Sequence, residues 1–377
     1  MRILIGSNTP NDLRLAVARV MHFIGEGWRQ MGHQVDYLYA SDVPKLIPRG
    51  RLPWINYALA AALVLRSRER QGIHYDVLNF HGGDGCFVGL YDWLRRRERR
   101  LVVTMHGVEE MYWQVQNQES KRGLSPRCSL KELFARYALR RSQALLAVRL
   151  ARCVTAYSEA GRDFMARHYR VLPQKIVVVA NGVPAEYLAA QREYSHPASR
   201  LLFVGTWGWY KGKRYLVEAA ERLVSSDPTL TFSLVGTGKD EATVKADFPV
   251  YVRPHVRVIP EAPNELVRAE YLSHDVFVFP SLFEGSSLAL LEAMASGMPV
   301  VVSDAAGAAR DIIQSGEDGL VVPARDVDRL VEAIRQLLGD VELRRYLGTN
   351  ARRKMRELTW DQVARRWMEA IQSCQET

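Results

Sequence analysis

Short apolar runs alternate with longer amphipathic stretches along almost the whole chain. In the first half, the runs lie at 3–5, 34–38, 77–80, 101–104, 153–157 and 176–179. The pattern restarts at 200–205 and continues at 231–235, 256–259, 276–279, 300–302 and 320–322. Runs this short, rich in Val, Ile and Leu, predict strands buried on both faces. Between them, 13–31, 54–70, 88–97, 130–152 and 160–168 carry apolar residues at helical spacing. Strand–helix alternation predicts parallel sheets with helical crossovers. Residues 184–199 are polar, hold Pro184 and Pro197, and read as a linker. The expected fold class is therefore α/β, with two open domains facing each other across a cleft. The expected boundaries are 1–195 and 199–358, with a capped amphipathic helix in the remainder, 359–377. In such folds ligands bind at the carboxyl ends of the strands.

Composition narrows the class. The 377 residues are 47% hydrophobic and 25% charged, enough for two ordinary globular cores. No apolar run approaches the roughly 18 residues of a membrane span. The amino terminus enters a strand at once, which argues against a signal peptide. Cys86, Cys128, Cys153 and Cys374 are scattered, without the spacing of a zinc site or a disulfide framework, which fits a reducing cytosol.

Charge is distributed unevenly. Residues 1–198 hold 29 Lys and Arg against 17 Asp and Glu, and the remainder 22 against 25. The densest contributors are Arg66, Arg68, Arg70 and the arginine-rich run 95–100. That asymmetry points to an anionic partner for the first half, or to solvated helix ends. No nucleic-acid-binding module accompanies it, so a cytoplasmic leaflet rich in acidic lipids is the better-matched surface. The apolar stretch 54–65 leaves two readings open, a helix docked on membrane and a buried crossover helix.

Residues 276–300 concentrate the chemistry. An apolar run ends at Pro280, a small-residue turn follows at Glu284-Gly285-Ser286-Ser287, and Leu288, Leu291 and Ala295 then recur at helical spacing before Gly297-Met298-Pro299. A helix start bare of bulky side chains offers backbone N–H groups and a positive dipole end to an anion. Glu284 precedes the helix and Glu292 lies eight residues on, roughly 12 Å at about 1.5 Å per residue. This arrangement suits a ligand with hydroxyls at both ends and phosphates between, such as a nucleotide-sugar. Asp326-Val327-Asp328 has the form of a metal-binding pair, but N-capping of the following helix explains it.

The segment from Glu284 to Glu292, with Gly285, Leu288 and Leu291 between, resembles the paired-glutamate signature of retaining glycosyltransferases of family 4. Other patches resemble that family along the chain, from residue 1 to about 371. They include Gly32-His33-Gln34-Val35, the Thr104-Met105-His106-Gly107 segment, Asn181-Gly182-Val183, and Lys211-Gly212 after Gly205. The resemblance implies a GT-B fold of two facing Rossmann-like domains, an acceptor side in the first and a nucleotide-sugar donor site in the second. It also implies that the terminal helix crosses back to the first domain.

The same resemblance implies catalytic roles for His106, Lys211 and Glu284. Donor binding falls to Gly6, Gly205, Thr206, Lys211, Gly285, Ser286, Ser287, Leu288 and Glu292, with no metal or cofactor beyond the donor substrate. Thr206 stands where the family has arginine, and Lys213 or Arg214 are candidate substitutes. His81, at a comparable strand end, is a candidate on the acceptor side. The implied activity is transfer of a hexose with retention to a glycan, glycolipid or lipid-linked acceptor, in the cytoplasm at the inner membrane face. A non-catalytic nucleotide-sugar-binding subunit and a nucleotide-sugar epimerase are the alternatives.

Overall fold

The computed structural model describes residues 1–47, 52–97, 100–189, 192–194 and 197–374. The chain divides into two compact units. One comprises Met1–Met111, Arg127–Ala180 and Trp360–Thr377, and the other Tyr112–Pro126 and Asn181–Thr359. Two segments thus fall on the other side of the division from the expected boundaries. Residues 112–126 join the second unit because Glu119 is buried there, accepting from the Tyr215 hydroxyl at 3.1 Å and pairing with Arg325 at 2.7 Å. Residues 181–194 join it through the Asn181 amide, which donates to the Ser286 carbonyl at 2.9 Å, and the Tyr194 hydroxyl, which donates to the Gly297 carbonyl at 2.7 Å. Residues 190–191 and 195–196 of the expected linker, 98–99 of the arginine-rich run and 375–377 of the terminal helix lie outside the described residues.

The first unit holds a six-stranded parallel sheet of β1 (Arg2–Gly6), β2 (Gln34–Leu38), β3 (Val77–His81), β4 (Arg100–Met105), β5 (Cys153–Ala156) and β6 (Ile176–Val178), in the order β2-β1-β3-β4-β5-β6. The second holds β7 (Arg200–Val204), β8 (Thr231–Val235), β9 (Val256–Ile259), β10 (Val276–Phe279), β11 (Val300–Ser303) and β12 (Leu320–Val322), in the order β12-β11-β10-β7-β8-β9. Every residue of β3, β5, β10 and β11 is buried, which explains why 276–279 and 300–302 read as unbroken apolar runs. In each sheet the connections reverse direction beside the first strand of the unit. Those switch points open a crevice at the carboxyl ends of β1 and β3 in one unit, and of β7 and β10 in the other.

The helix Pro53–Arg70 buries Tyr57, Ala58, Ala60, Ala61 and Leu65. The apolar stretch 54–65 is therefore a crossover helix packed on its unit, and the membrane-docked reading of it is set aside. The expected helix 130–152 is broken in the middle: Leu130–Phe134 and Arg141–Leu150 are α-helical, while Ala135–Arg140 take wider π-helical winding. The helix Trp360–Ser373 packs within the first unit against Ala16–Gln30. The Trp28 indole N–H donates to the Ala364 carbonyl at 3.0 Å, and Phe23 stacks on Trp360 at 5.2 Å. The approach is close: a Cβ on Gly27 would lie 2.5 Å from that of Ala364.

Candidate active site

In the second unit, the loops leaving β7 and β10 meet at the switch point. The β7 loop closes in a short turn, Trp209–Lys211, and the Leu282 N–H donates to the Tyr210 carbonyl at 2.7 Å, tying the two loops together. Gly212 has φ of +72°, and a Cβ there would come 2.0 Å from the Pro280 carbonyl oxygen. Only glycine fits both demands. Lys211 and Glu284 are thereby brought face to face, Nζ 2.6 Å from Oε1, with both side chains nearly buried. The Oε1 atom is sealed from solvent without a well-aligned hydrogen bond, so the contact is ionic in character. The rings of Phe279 and Tyr210 flank the ammonium at 5.1 and 5.7 Å, adding an attraction that strengthens away from water.

The expected helix forms as Leu288–Ala295, capped by Ser287, whose hydroxyl accepts from the Leu290 N–H at 3.4 Å. The N–H groups of Leu288 and Ala289 precede any intrahelical acceptor. Ser286 points elsewhere: its hydroxyl accepts from the Asn181 N–H at 3.2 Å. Gly307, with φ of +57°, presses on the backbone of the turn, where a Cβ would lie 2.2 Å from the Glu284 carbonyl and 2.4 Å from that of Gly285. The turn is fixed from beneath by that contact. Glu292 is 3% exposed, about one turn into the helix, with the Tyr271 hydroxyl 3.4 Å from Oε2.

Gly205 lies beside Lys211; a Cβ there would sit 3.7 Å from its Cε. Thr206 bonds to the Tyr210 hydroxyl at 2.8 Å. Of the substitutes for arginine, Lys213 is engaged with Asp247 at 2.7 Å and Arg214 is exposed. Lys211 thus carries the positive charge nearest Glu284 in this loop. Asp326 caps the helix Val327–Gly339 and Asp328 pairs with Arg222, which accounts for both aspartates.

In the first unit, His81 at the end of β3 and His106 after β4 are brought together. His81 Nδ1 and His106 Nε2 share a hydrogen bond, and the ring centroids are 4.5 Å apart. Tyr157 packs on His106 at 5.2 Å. Burial, and then the neighbouring His106, drives the His81 pKa well below the usual imidazole value. Burial lowers that of His106 to about 4. Both rings are neutral near pH 7, so one nitrogen of the contact donates and the other accepts.

Asp84 is a residue the sequence reading passed over. It sits in the turn Gly82–Gly85 after β3 and accepts from the Asn8 N–H at 2.7 Å and the Ser7 hydroxyl at 3.3 Å. Burial pushes its carboxyl up to about 7, against the opposing effect of the Asn8 N–H and Arg140. An acid between glycines at a strand end was the available signal. Gly6, at the end of β1, has a packing reason to be small: a Cβ would meet the Phe80 ring at 2.5 Å.

Residues 17–187 match the model of a family described as Glycosyltransferase Family 4, and residues 198–340 match one described as Glycosyl transferases group 1. The chain belongs to glycosyltransferase family 4. The D-inositol 3-phosphate glycosyltransferase of Geodermatophilus obscurus is 29% identical over 324 residues, spanning 81% of this chain and 68% of its own. The UDP-Gal:alpha-D-GlcNAc-diphosphoundecaprenol alpha-1,3-galactosyltransferase of Escherichia coli is 27% identical over 225 residues, 54% of this chain and 56% of its own. Among solved structures, WaaG, a glycosyltransferase involved in lipopolysaccharide biosynthesis, superposes with a TM-score of 0.73 at 18% identity, covering 98% of this chain and 99% of its own. The fold is GT-B and the protein is a glycosyltransferase.

Proposed function

We propose that this family 4 enzyme moves a hexose from a nucleoside-diphosphate sugar to a hydroxyl of a glycan, glycolipid or lipid-linked acceptor, with retention of anomeric configuration. The observation that carries this reading is the Lys211–Glu284 pair at the β7–β10 switch point, beside the start of the helix Leu288–Ala295. As the bond from the sugar's anomeric carbon to the diphosphate loosens, negative charge grows on the departing phosphate. Lys211 and the N–H groups of Gly285–Leu288 would stabilise that charge, the work a divalent cation does in other transferases. An arriving diphosphate shares the ammonium with Glu284, freeing the carboxylate to bind sugar hydroxyls beside a cationic sugar centre. Glu292 is assigned to the ribose hydroxyls, and His106, neutral and fixed by His81, to the sugar.

Retention follows if the acceptor attacks from the face the diphosphate leaves, with that phosphate taking the acceptor proton. The E. coli relative is named for a UDP-sugar donor and a lipid diphosphate acceptor, and the basic first half suits such an acceptor at an anionic inner membrane face. The alternative of a binding subunit without turnover draws on Thr206, where arginine is absent. An assay of nucleoside-diphosphate release decides between them. Turnover that falls by about 100- to 1000-fold in Lys211→Ala, and falls also in Glu284→Ala, supports the transferase. Donor binding with no turnover, even with cell-derived acceptor, supports the subunit.

A further inference from the structure

In the first unit, the helical run from Leu130 to Leu150 is built in at one end only. Its carboxyl half buries Ala147 and Val148. Gln143 and Ala144 lie against Gly83, where a Cβ would come 3.0 Å from that of Gln143. Gly83 belongs to the turn at the carboxyl end of β3, and the run descends from there to β5. Its amino half therefore reaches beyond that edge of the sheet, by roughly 20 Å between 143 and 130 at about 1.5 Å per residue.

This projecting half carries its apolar residues outward. Leu130 is 86% exposed, Phe134 65% and Tyr137 39%. Spaced at i, i+4 and i+7, they form one stripe. A single exposed leucine is ordinary, whereas a stripe of large apolar side chains marks an interaction surface. Arg127 and Lys131 are exposed at the start of the same segment, and Arg140 and Arg141 anchor it to Glu109 and Glu110. Leu13, Leu15 and Leu46 are exposed in the loops leaving β1 and β2, at the same carboxyl edge. An apolar stripe rimmed by cations is the form of a helix that lies in a bilayer interface, and its charge complements acidic headgroups.

We propose that the face led by Leu130 and Phe134, with Arg127 and Lys131 beside it, docks on an anionic phospholipid bilayer. The edge that bears His81 and His106 then approaches the headgroups, where a lipid-linked acceptor would present its hydroxyl. This last consequence rests on the reading above; the docking itself is measured without turnover.

Flotation of the full chain with phosphatidylglycerol–phosphatidylcholine vesicles at low salt tests it. Wild type floats with these vesicles and not with pure phosphatidylcholine. The double variant Leu130→Asp, Phe134→Asp loses binding by at least about tenfold, the scale expected for losing two buried apolar anchors. Arg127→Glu with Lys131→Glu weakens it and flattens its salt dependence. Trp93→Asp with Leu94→Asp, on exposed residues at the opposite edge of the sheet, leaves flotation unchanged. Melting temperature and donor hydrolysis in solution stay at wild-type values throughout. Wild type remaining at the bottom, equal flotation on neutral vesicles, or Leu130 and Phe134 variants that float normally would each overturn the proposal. So would a stripe whose loss changes only the oligomeric state. A protein that floats but transfers no sugar counts against the transferase reading alone.

Discussion

Burial acts on two sets of titratable groups in the first unit with opposite sign. His81 and His106 have depressed values in the folded chain, while an unfolded imidazole titrates near about 6.5. Their contribution to stability is complete above that value. It is lost as pH falls toward about 4, the folded value of His106. Asp84 runs the other way: its folded carboxyl is raised to about 7, so its contribution is complete below the unfolded value of about 3.9 and is lost as pH rises through 7. We expect His106→Gln to lessen the loss of stability between pH 6.5 and 4, by at most about 1.4 kcal/mol per pH unit. Asp84→Asn should remove the fall in stability between about pH 3.9 and 7. Thermal melts across pH check both, and curves parallel to wild type would refute the assignment.

At the scale of elements, the two loops of the second unit depend on glycines that leave no room for a side chain. Gly307→Ala combines a left-handed backbone with a Cβ 2.2 Å from the Glu284 carbonyl. Such a change destabilises by more than about 1 kcal/mol. Because the displaced backbone is the Glu284–Gly285 turn, donor KM should rise in the same variant; an unaltered KM would show that the turn holds its place without this contact. The sheets are legible in the sequence, since parallel strands buried on both faces leave apolar runs such as 276–279 and 300–302. The turn and helix from Glu284 to Ala295 were legible for the same local reason. What escaped was the pairing of particular side chains across sequence distance. Nothing near His81 announces His106, and nothing near Asp84 announces Asn8. Glu119 gives no sign that its partners Tyr215 and Arg325 lie far along the chain. The π-wound turn at Ala135–Arg140 was also hidden, because its residues keep ordinary helical spacing.

For the whole molecule, the donor is the question that binding can answer first. Among nucleotide-sugars differing in base and hexose, a preferred donor at about 100 times its Kd adds about 2.7 kcal/mol to the folded state. A thermal-shift panel should therefore single out one donor class, with the shift reduced in Lys211→Ala. A flat panel would count against a nucleotide-sugar site. Among the described residues, no helix is long and apolar enough to cross a membrane.

The packing of Trp360–Ser373 on Ala16–Gln30 has a bearing on how the protein is made. The ribosome releases the second unit's sequence before the segment that covers Phe23 and Trp28 exists. The unit begun earliest is therefore completed after the other, and during synthesis its uncovered apolar flank is where nascent chains would stick to one another or recruit a chaperone.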